Sequence, residues 1–292
     1  MKNLKMKNNP SFVFFGTPYV ARDTLDILDA RGYRPTLVIT APDAPRGRGL
    51  TLTPSEVKGW AEAHDVPVLT PSAIDADAIE AIRAYGCAYA IVVAYGKILP
   101  QALLDVFPLG VLNIHYSLLP KYRGASPVEA ALLNGDHETG VSIQRMIYEL
   151  DAGDILAQES TMIGPSETTV DLRKRLIEIG GNALVSALPH FISGTITPTP
   201  QDPAQATRCR KIKKEDGFIT LGRDDESNWR KFRAYAQWPR TSFEAERNGS
   251  RFRVTIVSAH FADRRFIPDT IKPAGKNEMK YEEFSRSGAK VI

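Results

Sequence analysis

Apolar residues along this chain change their spacing in a regular way. The stretch SFVFFG at 11–16 is a short continuous apolar run, TPYVARDTLDILDARG at 17–32 repeats apolar residues at helical spacing, and TLVIT at 36–40 is β-branched and bounded by Pro35 and Pro42. That is one strand–helix–strand unit. The alternation continues through a predicted helix from Pro54 to His64 with Ser55 as N-cap, the strand PVLT at 67–70, a helix over 74–85, the strand AYAIVVA at 88–94 and the strand GVLNI at 110–114. Near-continuous apolar strands separated by amphipathic helices predict a parallel sheet covered on both faces. Ligands of such sheets collect at the carboxyl ends of the strands.

After GVSIQRM at 140–146 and DILAQES at 154–160, residues 168–194 repeat as one long amphipathic helix. The following TITPTPQDPAQAT at 195–207 is rich in Pro and Thr with little periodicity, which marks a linker. Beyond it, SNWRKFRAYAQ reads as helical, and TSFEAER and SRFRVTIVSAH alternate as strands of a small β domain. The expected division is a first domain over 1–195, a linker over 196–213 and a second domain over 214–292.

Composition sharpens this outline. With 292 residues, 43% of them apolar, the chain buries at least one large core and fits one or two domains. The net charge is only +3, yet residues 1–204 hold 17 Lys and Arg against 22 Asp and Glu, whereas residues 205–292 hold 20 against 12. A basic surface concentrates polyanions, so the second part suits an anionic partner, and on charge alone it suits an ordinary solvated basic surface equally well. Cys87 and Cys209 are far apart and form no CxxC or Cys/His cluster, which argues against a disulfide framework or a zinc site. The amino terminus carries three lysines but only four consecutive apolar residues, Phe12 to Phe15, fewer than a secretory segment needs. No stretch reaches the length of a membrane span, so a cytoplasmic protein without membrane attachment is expected. The first strand-to-helix turn reads GTPYVA and lacks the GxGxxG fingerprint of dinucleotide binding.

Three polar residues carry the chemistry. Asn113 and His115 lie two apart on a predicted strand and therefore point the same way, and Asp151 follows in LDAGD. An amide, an imidazole and a carboxylate brought together can stabilise an oxyanion, relay a proton and hold the imidazole in its useful state, which suits acyl-type transfer. An isolated Asn-x-His pair equally suits a turn cap and a backbone-bound histidine. The loop that follows holds Pro120, Arg123, Gly124 and Pro127, then a helix with Ser126 as its predicted N-cap. Leu118 and Leu119 sit where a loop is normally polar; they suit either a flat aromatic ligand or a plug that fastens the loop to the sheet.

The stretch from Asn113 to Asp154, NIHYSLLPKYRGASPVEAALLNGDHETGVSIQRMIYELDAGD, resembles the catalytic core of the folate-dependent formyltransferases, with N-x-H, SLLP, RG and LDxGD in order. The resemblance implies a Rossmann-like parallel-sheet α/β domain followed by a small, shortened OB-like β-barrel. It implies 10-formyltetrahydrofolate as co-substrate, no metal, and Asn113, His115 and Asp151 as catalytic residues. Ser117, Leu118, Leu119 and Pro120 would border the folate, as would the stretch 92–100 with Val92, Ala94, Tyr95 and Gly96. Within the family, FFGTPYVA, the loop PDAPRGRGLTLTPSEVK at 42–58, AYAQWPRTSF and PAGKNEM resemble the branch whose partner is initiator methionyl-tRNA. There the 42–58 loop wedges against the acceptor stem, which implies Arg46 and Arg48 as tRNA contacts; arginines there also make sense as phosphate ligands. A monomer is expected. Leu50 and Thr51 stand where that branch has lysines, the second domain is short, and Tyr116 replaces a residue that is commonly small. The alternative is a sugar-nucleotide N-formyltransferase, which PKYRG and DAGDILAQE also suit, although such an enzyme should lack the PDAPRGRG loop and the basic tail.

Overall fold

The computed structural model describes residues 10–46 and 49–292. These form two compact units that interleave along the chain. The first holds residues up to 123, then 140–160 and 175–207; the second holds 124–139, 161–174 and 208–292.

The first unit is built on a seven-stranded sheet. Its strands are β1 (Phe12–Gly16), β2 (Leu37–Ile39), β3 (Val68–Leu69), β4 (Tyr89–Val93), β5 (Gly110–His115), β6 (Glu138–Arg145) and β7 (Ile155–Met162), in the spatial order β7-β6-β5-β4-β1-β2-β3. Strands β1 to β5 pair in parallel, and β6 runs antiparallel to β5. All five residues of β1 and of β4 are buried, as a sheet covered on both faces requires. Strand order reverses between β1 and β4, so the loops leaving β4 and β5 stand at a topological switch point.

Helices fill the connections: α1 (Tyr19–Ala30), α2 (Glu56–Ala63), α3 (Ala76–Arg83) and α4 (Gln101–Leu104). Ser55 caps α2 by accepting from the Lys58 N–H, as its position predicts. Asp75 accepts from the Ala78 N–H and starts α3 at Ala76, two residues later than the apolar spacing suggests, because the cap and not the first apolar residue sets a helix start. Helix α5 (Pro127–Asn134) opens with Pro127 at its first turn, where no N–H is needed, and the preceding Ser126 makes no side-chain cap bond. The long α6 runs Thr169–Ile192.

The segment read as a linker, 196–213, is tied down as far as residue 207. Thr199 and Ile155 exchange backbone hydrogen bonds of 2.8 and 2.9 Å, and the Thr207 carbonyl accepts from the Arg123 N–H at 2.9 Å. Residues through 207 accordingly belong to the first unit.

The second unit contains α5, α7 (Asp225–Ala234) and an antiparallel sheet of β8 (Ser242–Arg247), β9 (Ser250–Ala262), β10 (Arg265–Pro273), β11 (Met279–Lys280) and β12 (Lys290–Val291), ordered β11-β10-β9-β8-β12. Five strands is the number that an OB-like barrel uses. Ile219, Phe243, Val254, Ile256, Phe266, Ile271 and Phe284 form its core. Residues 124–139 and 161–174 join it through side chains that periodicity cannot reveal. The Arg230 guanidinium lies against Gly135, Glu129 pairs with Arg173, and Thr169 Oγ1 donates to the Ala234 carbonyl at 2.5 Å.

Phe14 in β1 is fully buried. Phe14→Ala is expected to lower the unfolding free energy by about 3–5 kcal/mol, measured by denaturant titration, because the lost ring leaves a cavity in a close-packed sheet face.

Candidate active site

Strand pairing sets the site. In the antiparallel ladder between β5 and β6, Asn113 stands opposite Gln144 and His115 opposite Ser142. Residues directly opposite share a face, so these four polar side chains project to one side of the sheet, and all four are buried. The alternate residues Ile114 and Val141 point to the other face, where Gly180 of α6 lets the helix come close: a Cβ there would stand 3.0 Å from both. Tyr116, two residues beyond Ile114, continues that face and passes near Gly180, which gives its large ring a packing role.

Asp151 comes from the LDAGD turn after β6. Its φ of +51° lies in the left-handed region, which an unbranched polar residue tolerates at a modest cost. Gly153 is needed because a Cβ there would stand 1.7 Å from the Arg145 carbonyl oxygen. That close approach lets the Arg145 N–H donate to the Asp154 carbonyl at 2.9 Å and closes the turn beside β6. Gln201 completes the clamp: its Nε2 donates to the carbonyls of Asp151 (2.9 Å) and Gly153 (2.7 Å), and its Oε1 accepts from Arg123 Nε at 3.0 Å.

So held, Asp151 reaches the strand residues. Its Oδ1 accepts from Gln144 Nε2 at 2.9 Å, and its Oδ2 stands 3.6 Å from His115 Nδ1, with both side chains about a tenth exposed or less. His115 Nε2 lies 2.9 Å from the Tyr122 carbonyl oxygen. A carbonyl can only accept, so Nε2 carries a proton, and Nδ1, on the Asp151 side, is the nitrogen left to exchange one. The Asn113 carboxamide makes no side-chain hydrogen bond among the described residues although the residue is only 8% exposed. A buried amide without a partner is the expected state of a donor whose acceptor arrives with a ligand.

The loop from Ser117 to Arg123 is fastened to this face. Ser142 Oγ donates to the Ser117 carbonyl at 2.7 Å and accepts from the Leu119 N–H at 3.0 Å, Ser117 Oγ donates to the Lys121 carbonyl at 2.6 Å, and Gln158 Nε2 donates to the Leu119 carbonyl at 3.0 Å. Leu119 is buried and Leu118, half-buried, approaches Gly140, so the apolar pair fastens the loop to the sheet. Pro120 is half-buried. Beyond β4, the Val92 and Tyr95 side chains belong to the core, and burial pushes the Tyr95 phenol up to about 12. Ala94 and Gly96 are exposed there, both with positive φ, so they offer backbone to a ligand, and Ile98 two residues on is exposed as well. The 42–58 loop contains a hairpin, Ala44–Arg46 with Thr51–Thr53, and exposes Leu50 and Leu52. The Arg46 side chain and Arg48 lie outside the described residues.

Among the described residues no group of three His, Cys, Asp or Glu side chains is placed to hold a metal ion, and no helix is long and apolar enough to cross a membrane. Two residues that support the site escape motif reading. Gln144 was legible in principle, because Ser142 and Gln144 repeat on β6 the two-apart polar spacing of Asn113 and His115. Gln201 carries no signal at all: it is one polar residue in a Pro- and Thr-rich stretch.

Residues 11–188 match the formyl transferase family. The methionyl-tRNA formyltransferase of Nitratidesulfovibrio vulgaris is 37% identical over 300 residues, covering 93% of this chain and 91% of its own. Among solved structures, the methionyl-tRNA formyltransferase from Clostridium thermocellum superposes with a TM-score of 0.59 at 15% identity, covering 91% of this chain and 99% of that one. An N-formyltransferase from Helicobacter canadensis, solved with folinic acid and dTDP-3-aminofucose, gives 0.63 at 17% identity, covering 87% and 89%. At these identities the two structures speak to the fold.

Gln201→Ala removes the donor to two carbonyls and the acceptor of Arg123 Nε. The expected loss is about 1–3 kcal/mol of unfolding free energy, with faster amide exchange around 151–154 read by hydrogen–deuterium exchange.

Proposed function

Because this chain belongs to the formyl transferase family, we propose that it transfers a formyl group from 10-formyltetrahydrofolate to the α-amino group of methionine on initiator methionyl-tRNA, with Asn113, His115 and Asp151 as its catalytic residues. The observation that carries the assignment is the convergence of an unpartnered amide, a singly tethered imidazole and a clamped carboxylate on one face of the sheet. The long match to a relative of that name supports the acceptor.

The step follows from these atoms. The neutral amine attacks the formyl carbon, a C–N bond forms, and the carbonyl oxygen becomes an oxyanion. Asn113 donates an N–H to that oxygen, a contact of on the order of 2.7–4 kcal/mol when well placed. The new ammonium gives its proton to Asp151, directly or through one water. His115, with Nε2 held by the Tyr122 carbonyl, delivers a proton from Nδ1 to the departing folate nitrogen as the old C–N bond breaks. The products are the formylated amine and tetrahydrofolate, and the His115–Asp151 pair exchanges a proton to return to its starting state. Burial strengthens each of these contacts by excluding water.

The folate is assigned to this face by the exposed backbone of Ala94 and Gly96 and by the Ser117–Pro120 loop, with Val92 and Tyr95 supporting from the core. Arg46 and Arg48 are assigned to the tRNA acceptor end. The basic stretch 214–292 is assigned to the RNA backbone as a tRNA-binding domain, with 1–195 as the catalytic domain and a monomer in the cytoplasm as the working form.

Purified protein offered the folate donor with charged initiator tRNA, uncharged tRNA or an amino-sugar nucleotide is expected to formylate only the first; formylation of the amino sugar would reverse the acceptor assignment. Asn113→Ala is expected to lower kcat by roughly 10²–10³-fold and Asp151→Asn by roughly 10²–10⁴-fold, measured in single-turnover transfer, and rates within a few fold of the unaltered protein would remove them from the mechanism.

A further inference from the structure

One buried polar atom at this site has no partner in the scheme above. Gln144 is 1% exposed, its Nε2 donates to Asp151 Oδ1 at 2.9 Å, and its Oε1 makes no hydrogen bond among the described residues. The orientation of this amide is set by chemistry: a carboxylate oxygen only accepts, so the nitrogen must face Asp151 and the oxygen must face away. An acceptor buried without a donor carries a desolvation penalty that native proteins rarely leave uncompensated.

A candidate donor is fixed by register. Asn113 stands directly opposite Gln144 in the β5–β6 ladder, and opposite side chains on one face have Cβ atoms about 4.5–5.5 Å apart. Asn113 is buried as well, with a carboxamide that makes no hydrogen bond among the described residues. Each amide therefore holds what the other lacks.

We propose that Gln144 is a positioning residue that couples the two ends of the reaction, its N–H holding Asp151 and its buried oxygen accepting one N–H of Asn113 when the reactive complex forms. This contact would decide which way the Asn113 amide faces. With one N–H on Gln144 Oε1, the Asn113 nitrogen is the atom turned toward the site, and its second N–H is left for the oxyanion. The reverse rotamer would set two carbonyl oxygens against each other. Gln144 touches neither donor nor acceptor substrate in this assignment and acts through Asn113 and Asp151. The inference rests on the formyl-transfer reading of this face.

The test is a double-mutant cycle in the full chain. Gln144→Leu removes both hydrogen bonds at similar volume, and Gln144→Met, unbranched and of the same length, is made alongside so that a folded variant is in hand. The expected result is a fall in kcat of about 10- to 100-fold with KM for the folate donor changed less than about threefold, and a fall at least about threefold smaller when the same change is made in Asn113→Ala, where only the hydrogen bond to Asp151 remains to be lost. A kcat within twofold of the unaltered protein, or an undiminished effect in the Asn113→Ala background, overturns the assignment. The latter result would mean that Gln144 acts through Asp151 or the substrate and not through Asn113. If the unaltered protein itself transfers no formyl group to any amine offered, the formyl-transfer reading fails, and this assignment fails with it. An active protein indifferent to Gln144 defeats the assignment alone.

Discussion

A carboxylate about nine-tenths removed from water must be surrounded by donors, and that requirement organises the candidate site. Asp151 is held at one oxygen by Gln144, faces His115 with the other, and is fixed at the backbone by Gln201. Each of these partners is itself held. Gln144 is set by the β5–β6 register, His115 by the Tyr122 carbonyl and Gln201 by Arg123. Such chains of buried hydrogen bonds favour one arrangement, since breaking any link leaves a polar group unsatisfied in a low-dielectric interior.

The turn that carries Asp151 shows how backbone and side chain cooperate. A left-handed residue and a glycine pressed against the Arg145 carbonyl bring the carboxylate back over the strand that it has just left. The strand supplies Gln144 and Ser142, and the turn supplies the acid, so one hairpin-like excursion delivers both the group and its support. Ser142 also fastens the Ser117–Leu119 loop, with Gln158 of β7 bonded to the same serine and to the Leu119 carbonyl. The sheet edge and the loop are thereby stitched by the same few hydroxyls and amides.

Membership in the formyl transferase family and this geometry point the same way, but they rest on different facts. The family follows from similarity along most of the chain. The proposed division of roles among Asn113, His115 and Asp151 rests on which atoms are occupied: Nε2 of His115 is engaged and Nδ1 faces the acid, so the proposal puts proton traffic on that side. Fold likeness alone would not have separated these roles, because the same sheet supports many chemistries.

Element types were legible in the amino-acid sequence, because the periods of strands and helices are written in neighbouring residues. The runs FVFF and YAIVV, the cap Ser55 and the polar pair Asn113 and His115 all read correctly from local spacing. Tertiary structure alone decided what depends on distant partners. It put Tyr95 in the core, packed Leu119 beneath its loop, gathered 124–139 and 161–174 with 208–292, and tied Gln201 to Asp151 fifty residues away. The physical reason is that a hydrogen bond or a packing contact is specified by two surfaces at once, and a sequence read locally shows only one of them.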